Sequence, residues 1–171
     1  MMKLIKSTLM LTAALALAAC TNPDRFGDNG NAVDLNGANA GFGGSAGDPT
    51  SPAYFQQTIG DRILFPVDQF TLTADARSTL DGQATWLMTN TDFNAVIEGH
   101  ADEQGTREYN LALGARRANS VQEYLLSRGV PGNRLRVVSF GKERPIEICS
   151  EESCYAQNRR AVTVISISPT S

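Results

Sequence analysis

The chain is short of the residues that acid–base and metal chemistry draw on: its 171 residues include one histidine, His100, and three cysteines. With a single imidazole, no serine or cysteine nucleophile with a paired histidine is legible, which argues against a hydrolase of that type. Cys149 and Cys154 lie five apart, and no third or fourth ligand stands at the ordinary spacing of a zinc site. Glycine-rich phosphate-loop patterns are missing as well. Positive charge is also in deficit: 15 Lys and Arg against 18 Asp and Glu give a net charge of −3. Removing residues 1–19, which carry Lys3 and Lys6 and no acid, makes the balance more negative still. That is the wrong sign for an electrostatic nucleic-acid binder. Nothing calls for a cofactor or a metal, and the absences together favour a binding protein over an enzyme.

What is present begins with an export signal. MMKLIKSTLMLTAALALAAC opens with lysines, continues through an apolar run and ends in small residues. The run falls short of the roughly 20 apolar residues of a confident membrane-spanning helix. Leu17, Ala18, Ala19 and Cys20 resemble the bacterial lipobox, in which the cysteine thiol receives a diacylglyceryl group and becomes the first residue of the mature chain. Two or more acyl chains, at about 0.8 kcal/mol per buried CH₂, make a stable anchor. Thr21 rather than Asp follows the cysteine, and under the lipoprotein sorting rule this resemblance implies the outer membrane. Residues after it are dense in Gly, Asn, Asp and Ala without helical or strand period, the composition of a flexible tether. About 35 such residues have an r.m.s. reach on the order of 30 Å and a stretched limit on the order of 100 Å. The expected organisation is a signal peptide at 1–19, a lipidated Cys20 with tether through 58, and one folded domain at 59–171.

The folded part alternates strand and helix patterns. Residues 62–65 (RILF) predict a short strand, and Thr73 is placed to cap a helix through about 88 whose apolar stripe is Ala76, Leu80, Ala84 and Leu87. Residues 93–100 predict a second strand. A second helix, 107–128, repeats Leu111, Gly114, Ala118, Val121 and Leu125 at spacings of three and four and stops at Gly129, with Pro131 beyond. Its small residues permit close packing on a sheet. Residues 135–140 and 161–167 complete a β-α-β-α-β-β order, which predicts a two-layer α/β (α+β) sandwich with both helices on one face of a four-stranded mixed sheet. Two helices are few for the alternative, an open sheet covered on both faces. Between the last two strands, Cys149 and Cys154 sit in a chain that the export signal sends to an oxidising compartment, so a disulfide is expected, worth roughly 2 kcal/mol for so small a loop.

The densest gathering of charge is EGHADEQGTREYNLALGARRA, residues 98–118. Asp102 falls where the second strand gives way to a loop, and Arg117 lies in the helix that follows. A carboxylate and a guanidinium meeting over one crevice can hold a zwitterion, the first accepting from an ammonium and the second clamping a carboxylate. Composition alone also admits a plainer reading, with Asp102 capping a turn and Arg117 solvated on a helix face. His100 with Asp102 and Glu103 could be read as a metal or general-base cluster, but a histidine at a strand end more simply shapes the following turn.

The motif decides between these readings by resemblance. Asn110, Leu113, Gly114, Arg117 and Ala118 fit the pattern N-x-x-L-(S/G)-x-x-R-A of the OmpA-like peptidoglycan-binding domain, and the surrounding words resemble in particular the peptidoglycan-associated lipoproteins. The resemblance covers about 62–167. It implies a noncatalytic protein that ties the outer membrane to peptidoglycan, with Asp102 and Arg117 binding the diaminopimelate of the stem peptide. It further implies partnership with TolB and the Tol system, and a role in envelope integrity and cell division. His100 then supports the loop. Asp68, in Phe65-Pro66-Val67-Asp68, stands at the family's F-x-F-D motif, with Val67 in place of the usual aromatic; it either binds or starts a turn. Leu113 either floors the crevice or is plain core. Asn158, Arg159 and Arg160 match the family's N-R-R motif and suit either a basic rim or a salt bridge at a strand start. The competing assignments are a wall anchor of another envelope machine and, in a different class, a wall-cleaving enzyme, which would need a catalytic acid in a substrate groove. With both site charges placed at a crevice, Asp102→Ala and Arg117→Ala are expected to leave the melting temperature within a few degrees.

Overall fold

A computed structural model describes residues 45–167. The signal peptide, Cys20 and the first part of the tether lie outside the described residues. The elements run α1 (Pro52–Tyr54, continuing into a π-helical turn at Phe55–Gly60), β1 (Arg62–Leu64), α2 (Ala74–Thr89), β2 (Phe93–His100), α3 (Arg107–Ser127), a 3₁₀ turn (Gly132–Arg134), β3 (Leu135–Gly141), α4 (Glu152–Asn158) and β4 (Arg160–Ile167). No described helix is long and apolar enough to cross a membrane.

The four strands form one mixed sheet in the order β1-β4-β2-β3, with β2 and β3 parallel and the other two pairings antiparallel. Period-two alternation sets its inner face: Ala95 and Ile97 of β2 pair with Ile165 and Thr163 of β4, and all four are buried. Against them pack Leu80, Ala84 and Leu87 of α2 and Ala118, Val121 and Leu125 of α3, in one core. Burying such side chains contributes about 1.5–3 kcal/mol each. Thr73 caps α2 as expected, and Thr106 caps α3 in the same way. Thr73 accepts from the Ala76 N–H at 3.1 Å, and Thr106 accepts from the Tyr109 N–H at 3.2 Å, each satisfying an otherwise unpaired first-turn donor. Gly129, at φ 95°, ends α3 in the left-handed region.

Two glycines fix how low α3 rides. A Cβ on Gly99 would fall 1.9 Å from the Gly114 carbonyl oxygen, and one on Gly114 would lie 2.8 Å from the Gly99 oxygen. Strand and helix backbones therefore touch where β2 is about to release the loop that carries Asp102.

The folded body starts earlier than the tether boundary at 58. Phe55 is completely buried, edge-on to Trp86 at 5.0 Å between ring centroids, and the Trp86 indole N–H donates to the Pro49 carbonyl at 2.7 Å. The Gly- and Asn-rich composition upstream gave no sign that a short aromatic plug follows it. The second departure is α4, a short helix between β3 and β4. A disulfide joins Cys149 to Cys154, with Cα atoms 5.9 Å apart.

Candidate functional site

Three segments converge beside the C-terminal end of β2. The loop after β1 brings Val67 and Asp68, the loop after β2 brings Asp102, Gln104 and Gly105, and the first turns of α3 bring Tyr109, Asn110 and Leu113. Together they line a hollow of about 220 Å³. A groove of about 390 Å³ runs along Arg62–Phe65 to Asp75 and Thr79, but it holds a single carboxylate. The smaller hollow is where two carboxylates meet, and chemistry rather than size makes it the candidate.

Asp68 adopts φ 55°, a backbone state that non-glycine residues seldom occupy, and its carboxylate accepts from the Tyr109 hydroxyl. That bond pushes the Tyr109 pKa up. Asn110, fully buried, donates to the Gln104 carbonyl at 2.7 Å and pins the loop to α3. Leu113 is buried and borders the hollow.

Asp102 is 7% exposed. One oxygen accepts from the Gln104 N–H at 3.2 Å, which shapes the turn, and the other from Arg159 Nη1 at 3.2 Å. The cation in direct contact with Asp102 is thus Arg159, from the N-R-R motif, rather than Arg117. Arg159 also donates to the Phe65 carbonyl and to Glu152 on α4.

Arg117 requires a correction. Instead of standing over an open crevice it is 0% exposed. Its Nε donates to the Gln69 carbonyl at 2.8 Å, Nη1 to His100 at 2.8 Å and Nη2 to Pro66 at 3.2 Å. A buried guanidinium must satisfy its donors, and here the loop after β1 and the last residue of β2 supply the acceptors. Burial lowers its pKa to about 10, against the opposing pull of Asp102, so at neutral pH it remains a cation behind the site. Burial removes the ground for expecting Arg117→Ala to leave the melting temperature within a few degrees.

The other motif residues are structural. Asn158 accepts from the N–H groups of Ile146 and Glu147 and donates to the Glu147 carbonyl, holding the loop before α4. Arg160 donates to the carbonyls of Asn158 and Arg144. His100 is 2% exposed and stacks on Phe140 at 5.5 Å, with neither ring nitrogen hydrogen-bonded. Burial, reinforced by Arg160, Arg144 and Arg62, lowers its pKa to about 3, overriding Glu98 at 3.8 Å; it is a neutral packing group. Among the described residues no cluster of three or more His, Cys, Asp or Glu could hold a metal ion. Sequence reasoning missed Tyr109, Gln104, Gly105 and Glu152. The first three lie inside residues 98–118, whereas nothing in the pattern ties Glu152 to Asp102.

The site therefore holds two carboxylates toward the hollow and two guanidiniums behind it, one of them shared with Glu152, an arrangement suited to a small ligand bearing both signs.

Comparisons with known proteins agree with this architecture. An OmpA family model matches residues 64–159. A peptidoglycan-associated lipoprotein of Rhizobium meliloti is 49% identical over 157 residues, covering 92% of this chain and 85% of that protein; one from Haemophilus influenzae is 38% identical over 162 residues, covering 95% and 98%. Among solved structures, the peptidoglycan-associated lipoprotein from Burkholderia pseudomallei superposes with a TM-score of 0.63 at 35% identity, covering 71% of this chain and 98% of that one. The C-terminal domain of Helicobacter pylori MotB, at 21% identity, TM-score 0.59 and coverage of 63% and 85%, shares the fold.

Proposed function

As the chain belongs to the OmpA family, and within it to the peptidoglycan-associated lipoproteins, we propose that it binds peptidoglycan noncovalently through the diaminopimelate of the stem peptide, without catalysis. The observation that carries this reading is the pairing of Asp68 and Asp102 in one hollow, with Arg117 and Arg159 directly behind. The ligand's free end carries an ammonium and a carboxylate. The ammonium goes to Asp102, whose exposed edge faces the hollow, with Asp68 as second acceptor once the Tyr109 hydroxyl yields. For the carboxylate, Arg117 supplies charge from behind, while the first-turn N–H groups of α3 supply donors. Leu113 floors the methylenes.

Charge-assisted bonds of about 1.5–3 kcal/mol each imply micromolar to millimolar affinity for one site. Many anchored copies facing a repetitive wall make that sufficient. In this reading Cys20 carries the lipid that holds the protein in the outer membrane, the domain faces the periplasm, and residues after Cys20 reach the wall. TolB and the Tol system are the partners the family suggests, with a part in envelope integrity and cell division.

Pull-down with two purified walls tests the proposal. Wall whose third stem residue is diaminopimelate should sediment the protein; wall with lysine there, lacking the carboxylate, should retain much less. Equal retention would remove diaminopimelate as the determinant, and soluble muropeptides released during incubation would contradict a noncatalytic role.

A further inference from the structure

The ion pair behind the hollow continues outward. Arg159, 4% exposed, donates through Nη1 to Asp102 at 3.2 Å and to Glu152 at 3.4 Å, and through Nη2 to the other Glu152 oxygen in a still shorter contact. Glu152 takes no part in lining the hollow: its side chain is 66% exposed on the first turn of α4. Its place is set by the covalent loop closed between Cys149 and Cys154 and by the Glu151 carbonyl, which accepts from the N–H groups of Cys154 and Tyr155. A further link, Ser150 Oγ to Glu103 Oε1 at 3.4 Å, joins this loop to the one that carries Asp102. One buried cation is shared between two carboxylates, one facing the ligand and one facing water.

Sharing sets how strongly Asp102 attracts an ammonium. If Arg159 answered to Asp102 alone, the pair would be neutral, and an incoming ammonium would meet a carboxylate already matched by a cation 3.2 Å away. With Glu152 on the far side the trio carries a net negative charge, and Asp102 keeps more of its pull. We infer that Glu152 is a positioning residue for ammonium recognition, acting on Asp102 through Arg159 and held in place by the disulfide loop. The inference rests on the reading that the hollow takes the amine-bearing end of the stem peptide.

The test measures competition against labelled wall fragments by two muropeptides, one with the free diaminopimelate amine and one with that amine acetylated. Glu152→Gln should weaken binding of the free-amine form about three- to fivefold, the range of a partly exposed ion pair, and leave the acetylated form unmoved. Glu151→Gln removes the neighbouring charge without touching Arg159 and should change neither. Glu152→Asp, which keeps the charge, should restore most of the preference for the free amine. A merely structural role would shift both muropeptides together; that result, an unchanged preference in Glu152→Gln, or the same loss in Glu151→Gln, would overturn the inference. Wild-type protein that fails to bind either muropeptide refutes the proposed function itself, whereas wild type that prefers the free amine alongside a Glu152→Gln variant of equal preference refutes only the role of Glu152.

Discussion

Arg159 Nη1 lies 3.2 Å from Asp102 Oδ2, and the two side chains are almost wholly withdrawn from water. Asp102 is therefore half of a buried pair as well as a wall of the hollow, and its substitution should be felt twice. Asp102→Asn leaves Arg159 with Glu152 and the Phe65 carbonyl, so the domain should fold with a loss of about 1–3 kcal/mol. Binding to diaminopimelate wall should fall by about tenfold or more, the cost of one charge-assisted contact. Urea denaturation and wall sedimentation check the two halves separately, and full retention on wall would exclude Asp102 from recognition.

Arg117→Ala should behave differently. It orphans the carbonyls of Pro66, Gln69 and His100 and empties a fully buried volume, so the expected loss is about 3–5 kcal/mol, with wall binding lost as the loops come apart. Arg117→Lys keeps the charge but cannot reach three acceptors in divergent directions, and should recover only part of the stability. A variant of unchanged denaturation midpoint that no longer binds wall would instead make Arg117 a direct ligand.

Acid should act through His100. The unfolded chain takes up this proton near pH 6.5 and the folded chain only near 3. Between those values the unfolded state binds more protons, so stability is fully present above about 6.5 and is lost as pH falls toward 3, by up to about 1.4 kcal/mol per pH unit. His100→Gln removes that slope. Denaturation of both proteins from pH 7 to 4.5 should show the wild type losing more stability than the variant; parallel curves would mean that His100 titrates alike in both states.

Gly99→Ala should be among the most damaging single changes to the chain. The new methyl would meet the Gly114 carbonyl oxygen at 1.9 Å, a contact that only lifting α3 from β2 can relieve. We expect a loss of more than about 3 kcal/mol. Gly114→Ala meets Ser139 Oγ at 2.5 Å, which can rotate, and the Gly99 carbonyl oxygen at 2.8 Å, a milder backbone clash than 1.9 Å, and should cost less. Thermal melts of the two variants give the order.

Strands, helices and caps could be read from periodicity because each depends on local pattern. Thr73 and Gly129 mark boundaries through their own backbone and side-chain chemistry. Residues 98–118 point to the neighbourhood of the hollow because Asp102, Asn110 and Leu113 are close in the chain, but Tyr109, Gln104 and Gly105, inside the same stretch, carry no signal of their own. The reach of Arg117 could not be read, since its three acceptors are set by tertiary packing, two of them 48 and 51 residues away. The same holds for Arg159 and Asp102, 57 residues apart, and for Phe55, whose burial depends on Trp86 across the fold. The helix α4 escaped notice because seven residues are too few to show a period.

The plug at Phe55 has a mechanical meaning. Tension arriving along the backbone from its N-terminal side would be delivered first to the Pro49–Trp86 hydrogen bond and the aromatic contact behind it. Only after Phe55 was drawn out would the load reach β1, three residues long and paired along a single edge. A seated aromatic ring thus stands as a strain relief ahead of the strand that a pull on the chain would otherwise peel away.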